Sequence, residues 1–215
     1  MTTKRGARRG SPRRHRYRRL PQPDEQRPPD GHLTSRQPLS HEETQVTQPL
    51  HAEPLTSRQP GTPWSEAMER LGTADAYWLV TTGADARPHM VPVLAVLVDG
   101  TLHFATSGRS SKARNLAINP ECVIAANAPS IDVVHGRATK VHRNDRLRDV
   151  AHAYAQKYDW HVTARDGALH DADGAPTAGP PPYDAYALTP TSAYGFATSE
   201  ALSSTRWRRH DECDQ

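Results

Sequence analysis

The chain has 215 residues, a formal net charge of +3, 35% hydrophobic residues and two cysteines. Its length suits one domain or two small ones, and no run approaches the roughly 18–20 apolar residues that cross a bilayer. Cys122 falls in an expected strand and Cys213 in a polar tail. They make a poor disulfide framework, so both are expected as free thiols in a reducing cytoplasm.

Composition divides the chain. Residues 1–60 are rich in Pro, Arg, Gln, Ser and Thr, and Leu33-Thr-Ser-Arg-Gln-Pro38 recurs as Leu55-Thr-Ser-Arg-Gln-Pro60. Such a segment buries too little apolar surface to offset backbone ordering, which costs roughly 1–2 kcal/mol per residue. It is expected as a disordered Arg/Pro-rich extension, with the folded domain at 61–210. Residues 1–20 hold Lys4 and eight arginines with no acid, a formal +9, so residues 21–215 carry −6. An Arg block of this kind can hold nucleic acid through phosphate contacts. The competing expectation is a plain extension, or a start codon placed too far upstream. No apolar stretch follows the arginines to make a secretory signal.

Along the domain, Thr62 and Pro63 predict a helix start, with Trp64, Met68 and Leu71 on one face and a stop at Gly72. A strand over 76–82 follows, then a turn at 83–86. A long strand over 87–98 contains Pro88 and Pro92, which must lie at an edge, a bulge or the strand start because proline cannot donate to a ladder. Asp99-Gly100 is a two-residue hairpin signal, leading to a strand over 101–106. A helix is predicted over 110–118, ended by Asn119-Pro120, then strands over 121–127 and 131–142. An apolar stripe of Leu147, Val150, Ala151, Tyr154 and Tyr158 predicts a helix over 145–158. A long loop is expected over 159–182, and strands over 183–188 and 193–198. Consecutive strands with short turns favour an antiparallel barrel.

The chemistry concentrates in Phe104-Ala-Thr-Ser-Gly-Arg-Ser-Ser-Lys-Ala-Arg-Asn-Leu116. This is a strand, a polar loop and a helix start. A helix N-terminus presents unpaired N–H groups and a partial positive charge of about half an elementary unit. Hydroxyls at Ser110 and Ser111 and the cations Arg109, Lys112 and Arg114 suit it to a phosphate group. The alternative is a serine N-cap with solvated basic side chains. No H-E-x-x-H, paired Cys/His spacing, G-x-S-x-G or Walker-type loop occurs, so no metal and no nucleophile motif is predicted.

Four pieces in this order resemble the pyridoxamine 5′-phosphate oxidase-like, FMN-binding split-barrel superfamily. They are Leu79-Val-Thr-Thr-Gly83, Arg87-Pro-His-Met-Val-Pro92, the unit from Leu102 through Ser110-Ser-Lys112 and Asn115-Leu116 to Asn119-Pro120, and Ser204-Thr-Arg-Trp-Arg208. The resemblance implies a mainly β chain, α+β by content: a six-stranded antiparallel split β-barrel with a few short helices. It implies a homodimer with the cofactor at the subunit interface. It also implies FMN, or the deazaflavin coenzyme F420, with Ser111 and Lys112 on the cofactor phosphate and Thr106 and Ser107 beside it. Arg87, His89 and Val91 would line the ring side, and Trp207 between Arg206 and Arg208 would brace the ring. For His89 and Thr106 the plain reading is a strand residue, and for Trp207 a side chain packed on the barrel. The Arg-Trp-Arg-Arg ending departs from the Arg-x-His element of true pyridoxamine phosphate oxidases, which argues against pyridoxal phosphate synthesis. The expected function is a cytoplasmic oxidoreductase acting on a small molecule, and the alternative is a non-catalytic flavin carrier or sensor.

Overall fold

The first described strand, β1 (His51–Pro54), pairs along its whole length with the last, β11 (Thr205–Arg208), so the two ends of the described chain lie side by side. The computed structural model describes residues 50–55, 60–127, 130–171, 179–197 and 204–209. The Arg block at 1–20, the first copy of the repeat and Cys213 lie outside them. β1 falls inside the segment expected as an extension, so ordered backbone begins before residue 61.

Helix α1 (Trp64–Thr73) buries Ala67, Met68 and Leu71. Pro63 takes its N-cap position with no side-chain cap. Thr62, expected as the cap, serves β11 instead. Its N–H donates to Thr205 Oγ1 at 2.9 Å and its carbonyl accepts from Trp207 Nε1 at 2.7 Å. β2 (Tyr77–Thr82) alternates inward Tyr77, Leu79 and Thr81 with outward Trp78.

The strand expected over 87–98 is two strands, β3 (Pro88–Val93) and β4 (Ala95–Val98), interrupted at Leu94. β3 pairs with β2 and β4 pairs with β5 (Thr101–Ser107). Pro88 and Pro92 are tolerated because β3 ends the sheet path and has only one ladder. The Asp99-Gly100 turn has positive φ at both residues, 46° and 71°, matching the twist a two-residue hairpin needs.

Helix α2 (Ser111–Ile118) is followed by β6 (Glu121–Asn127) and β7 (Ser130–Lys140). Helix α3 (Asn144–Tyr158) buries Leu147, Val150, Ala151 and Tyr154, the stripe expected from spacing. The segment expected as one long loop contains a hairpin of β8 (Thr163–Arg165) and β9 (Ala168–His170). It turns on Asp166 and Gly167, both at positive φ. The last two expected strands are one, β10 (Tyr183–Ala197), with a register shift between Pro190 and Ser192. Gly136 lies opposite this bulge, and a Cβ there would meet the Thr189 carbonyl oxygen at 2.5 Å.

The fold is mainly β with three helices, and every described pairing is antiparallel. The sheet has eleven described strands where six were expected. Its path runs β1-β11-β10-β7-β6-β2-β3, with β5 on β10 and β4 on β5. The circuit is therefore open at Leu94, where β3 hands over to β4. The interior holds Tyr77, Leu79, Leu102, Phe104, Ile124, Val134, Leu188 and Trp207. A second cluster joins α3 to Val96, Leu169, Tyr183 and Ala185. Each such large apolar side chain contributes about 1.5–3 kcal/mol relative to exposure.

Candidate functional site

Loop 107–110 is shaped by its own serines. Ser110 N–H donates to the Ser107 carbonyl at 2.9 Å, and Arg109 N–H to Ser107 Oγ at 3.4 Å. Ser110 caps α2, its Oγ accepting from Ala113 N–H at 3.1 Å. Fully buried Thr106 donates its hydroxyl to the same Ser110 Oγ at 3.0 Å. Ser110 Oγ thus accepts twice, which directs its own hydrogen away from both donors. Arg114 Nη2 donates to Ser111 Oγ at 3.1 Å, while its Nη1 donates to the Arg109 carbonyl at 2.5 Å. Ser111 Oγ is likewise an acceptor toward the protein with a hydrogen to offer. Among the described residues the N–H groups of Ser111 and Lys112 take no partner, as expected in a first turn.

Lys112 is half-buried, and burial alone lowers its pKa below the ordinary lysine value. No acid offsets that loss of hydration. Lys112 follows the Ser110 and Ser111 hydroxyls in sequence and shares the first turn of α2 with two open N–H groups, donor types that suit a doubly charged oxyanion. The residues present therefore fit a phosphate.

Two further polar contacts tie this corner to the sheet. Asn115, one turn beyond Ser111, donates from Nδ2 to buried Thr81 Oγ1 at 3.0 Å. Thr81 lies directly opposite His89 on β3, so α2 and His89 meet at the same end of the sheet. The buried Nδ1 of His89 has no hydrogen-bond partner. An orphaned ring nitrogen of this kind suits a polar edge of a planar ligand. Val91 is half-buried opposite Leu79, two residues along the same face. Arg87 lies at the rim, 87% exposed, and pairs with Asp85 at 3.5 Å. Asp184, in register with Thr106, is the acid of this corner. It pairs with Lys140 at 2.7 Å, and a Cβ at Gly108 would lie 2.8 Å from its Oδ2.

The structure thus gathers Thr106, Ser107, Ser111 and Lys112 in one loop and helix start, with His89 and Val91 on β3, the neighbour of the strand β2 that α2 reaches through Asn115. Trp207 is not brought there. It is buried on β11, five pairings from β3 along the sheet, with Trp64 edge-on at 5.7 Å. Its flanking arginines are also engaged, Arg206 over the Tyr194 ring at 5.6 Å and Arg208 with Glu53 at 2.5 Å. Asn115 was quoted from sequence within the strand–helix unit but given no role, and the Asp184–Lys140 pair was not singled out. The helical spacing from Ser111 to Asn115 could have found the first; only strand register reveals the second. A shallow groove of about 290 Å³ lies elsewhere, on the outer face, lined by Val80, Val123, His135, Thr191 and Ser192 among others.

Comparison with solved structures returns the same fold. A NimC/NimA family protein from Clostridium acetobutylicum superposes with TM-score 0.50 at 14% identity, covering 66% of this chain and 91% of that one. A heme binding protein from Mycobacterium smegmatis gives TM-score 0.50 at 17% identity, covering 66% of this chain and 56% of that one. At such identities the likeness is one of fold. A search of curated proteins finds no match. The sequence model described as Pyridoxamine 5′-phosphate oxidase matches residues 64–197, more than half of the chain and the segment that holds the β5–α2 corner. The chain therefore belongs to the pyridoxamine 5′-phosphate oxidase family.

Proposed function

We propose that the corner formed by Thr106, Ser107, Ser111 and Lys112 holds the phosphate of a flavin-type cofactor, FMN or the deazaflavin F420. On this reading the chain is a small-molecule oxidoreductase. The observation that carries it is the first turn of α2, where open N–H groups, the Ser111 hydroxyl and the half-buried Lys112 occur together, Lys112 having no charged partner among the described residues. When bound, the cofactor supplies the hydride chemistry. The chain's own residues bind and orient. Ser110 and Ser111 offer hydroxyl hydrogens, Lys112 offers charge, and His89 and Val91 flank the ring side. Arg87 gates the rim from an exposed position, and Trp207 supports the fold instead of the ring.

We extend the proposal to assembly. Trp78, Met90 and Phe196 are 47%, 56% and 45% exposed on the outer sheet face. A soluble monomer rarely leaves so broad an apolar face in water. A second copy of the chain is the occupant that fits, in keeping with a cofactor shared at the interface.

The test is titration of purified protein with FMN, followed by flavin fluorescence. Lys112→Ala should weaken binding by about 1–3 kcal/mol, the scale of a charge-assisted hydrogen bond. Unchanged affinity removes the proposal. Reduction of candidate acceptors by the loaded protein then separates an oxidoreductase from a carrier or sensor, which binds without turnover.

A further inference from the structure

The opening at Leu94 creates a backbone problem. β3 has a ladder only with β2, and β4 only with β5. Carbonyls at the hand-over take donors from outside the sheet, and a buried carbonyl short of partners is costly. They find them on the last turn of α3. Tyr154 Oη donates to the Leu94 carbonyl at 3.1 Å, and Tyr158 Oη to the Ala95 carbonyl at 3.0 Å. Lys157 Nζ donates to the same Ala95 carbonyl at 3.2 Å, to the Gly72 carbonyl at 2.8 Å and to Tyr77 Oη at 2.8 Å. The hydroxyl hydrogen of Tyr77 goes on to the Leu71 carbonyl. Lys157 Nζ also lies 4.8 Å from the Tyr77 ring centroid and 5.1 Å from that of Tyr158.

One helical turn therefore ties together the end of α1, the start of β2 and the β3–β4 hand-over. Three donors on one ammonium meet three acceptors from three different elements. The two sides of Leu94 lead to the two halves of the candidate site. β3 carries His89 and Val91, while β4 leads through β5 to Thr106 and α2.

We propose that Tyr154, Lys157 and Tyr158 form a clamp that fixes the bend at Leu94 and so positions the ring-side strand against the phosphate-binding helix. These are positioning residues, and their link to a cofactor rests on the flavin-site reading above.

Two variants test it, Lys157→Met and the milder Tyr158→Phe, which keeps the ring and removes one donor. Hydrogen exchange read by mass spectrometry should show amides over 90–97 exchanging at least about tenfold faster, with 111–118 unchanged, as for a local opening. Uniform acceleration, or none, overturns the clamp. With the same variants, affinity for FMN should fall about tenfold while affinity for inorganic phosphate stays at the wild-type value. Equal loss of both, or loss of neither, overturns the positioning role. If the wild-type protein binds neither FMN nor phosphate, the flavin-site reading fails, and the exchange measurement still decides the clamp. Should Lys157→Met not fold, Tyr158→Phe carries both measurements.

Discussion

Ser110 fixes the start of α2, and so the place of Lys112 in its first turn, while buried Thr106 donates to Ser110 from beneath. Single side chains here do two jobs, capping a helix and aiming a hydrogen outward. Trp207 shows the opposite case, a residue whose aromatic chemistry invites a ligand but whose surroundings consume it. Trp207→Phe removes the indole donor from the buried Thr62 carbonyl. It should cost about 1–3 kcal/mol in urea unfolding and leave FMN affinity unchanged. A loss of FMN affinity would return Trp207 to the site. His103 belongs to this scale as well. It is 8% exposed on β5, and burial lowers its pKa below the ordinary 6.5, against the raising effect of its bond to the Thr101 carbonyl. A depressed base pKa means that the unfolded chain takes the proton first. Stability should therefore decline as pH falls through 6.5. Urea midpoints at pH 7.5 and 5.5 measure this, and His103→Leu should remove most of the difference.

At the scale of elements, helix α3 and strand β10 decide the layout. The stripe of α3 was legible because 3.6-residue spacing is a local property of sequence. That α3 would supply donors to Leu94 and Ala95 was not legible, since those partners lie about sixty residues away. β10 was expected as two strands, over 183–188 and 193–198, on either side of Pro190. It runs through, because the bulge between Pro190 and Ser192 absorbs the missing donor while Gly136 lets the backbones approach. Gly136→Ala places a Cβ against the Thr189 carbonyl, a backbone atom that cannot swing aside. Overpacking of this kind should destabilise by about 1–3 kcal/mol, measured as a lower urea midpoint. An unchanged midpoint would show the bulge to be compliant.

For the whole molecule, the outer sheet face is the open question of chemistry. Tyr194, Val133, Ala125, Trp78 and Pro92 form one row across five strands, with Val123, Val80 and Met90 in the next. If a second copy covers this face, light scattering should give twice the 23.8 kDa protomer mass. Trp78→Glu should then halve it, by burying an unpaired charge at the contact. A wild-type monomer at micromolar concentration would refute the assembly and leave the face unexplained. Among the described residues no helix is long and apolar enough to cross a membrane.

The sequence by itself determined the helix faces, the Asp99-Gly100 hairpin and the serine–lysine start of α2. Each of these is written in spacing or in the stereochemistry of a few neighbouring residues. Tertiary structure alone decided where Trp207 went, how Asn115 reached Thr81, and which side chains filled the opening at Leu94. Those outcomes depend on strand register and on which distant carbonyls lack a donor. Neither quantity exists until the sheet has formed.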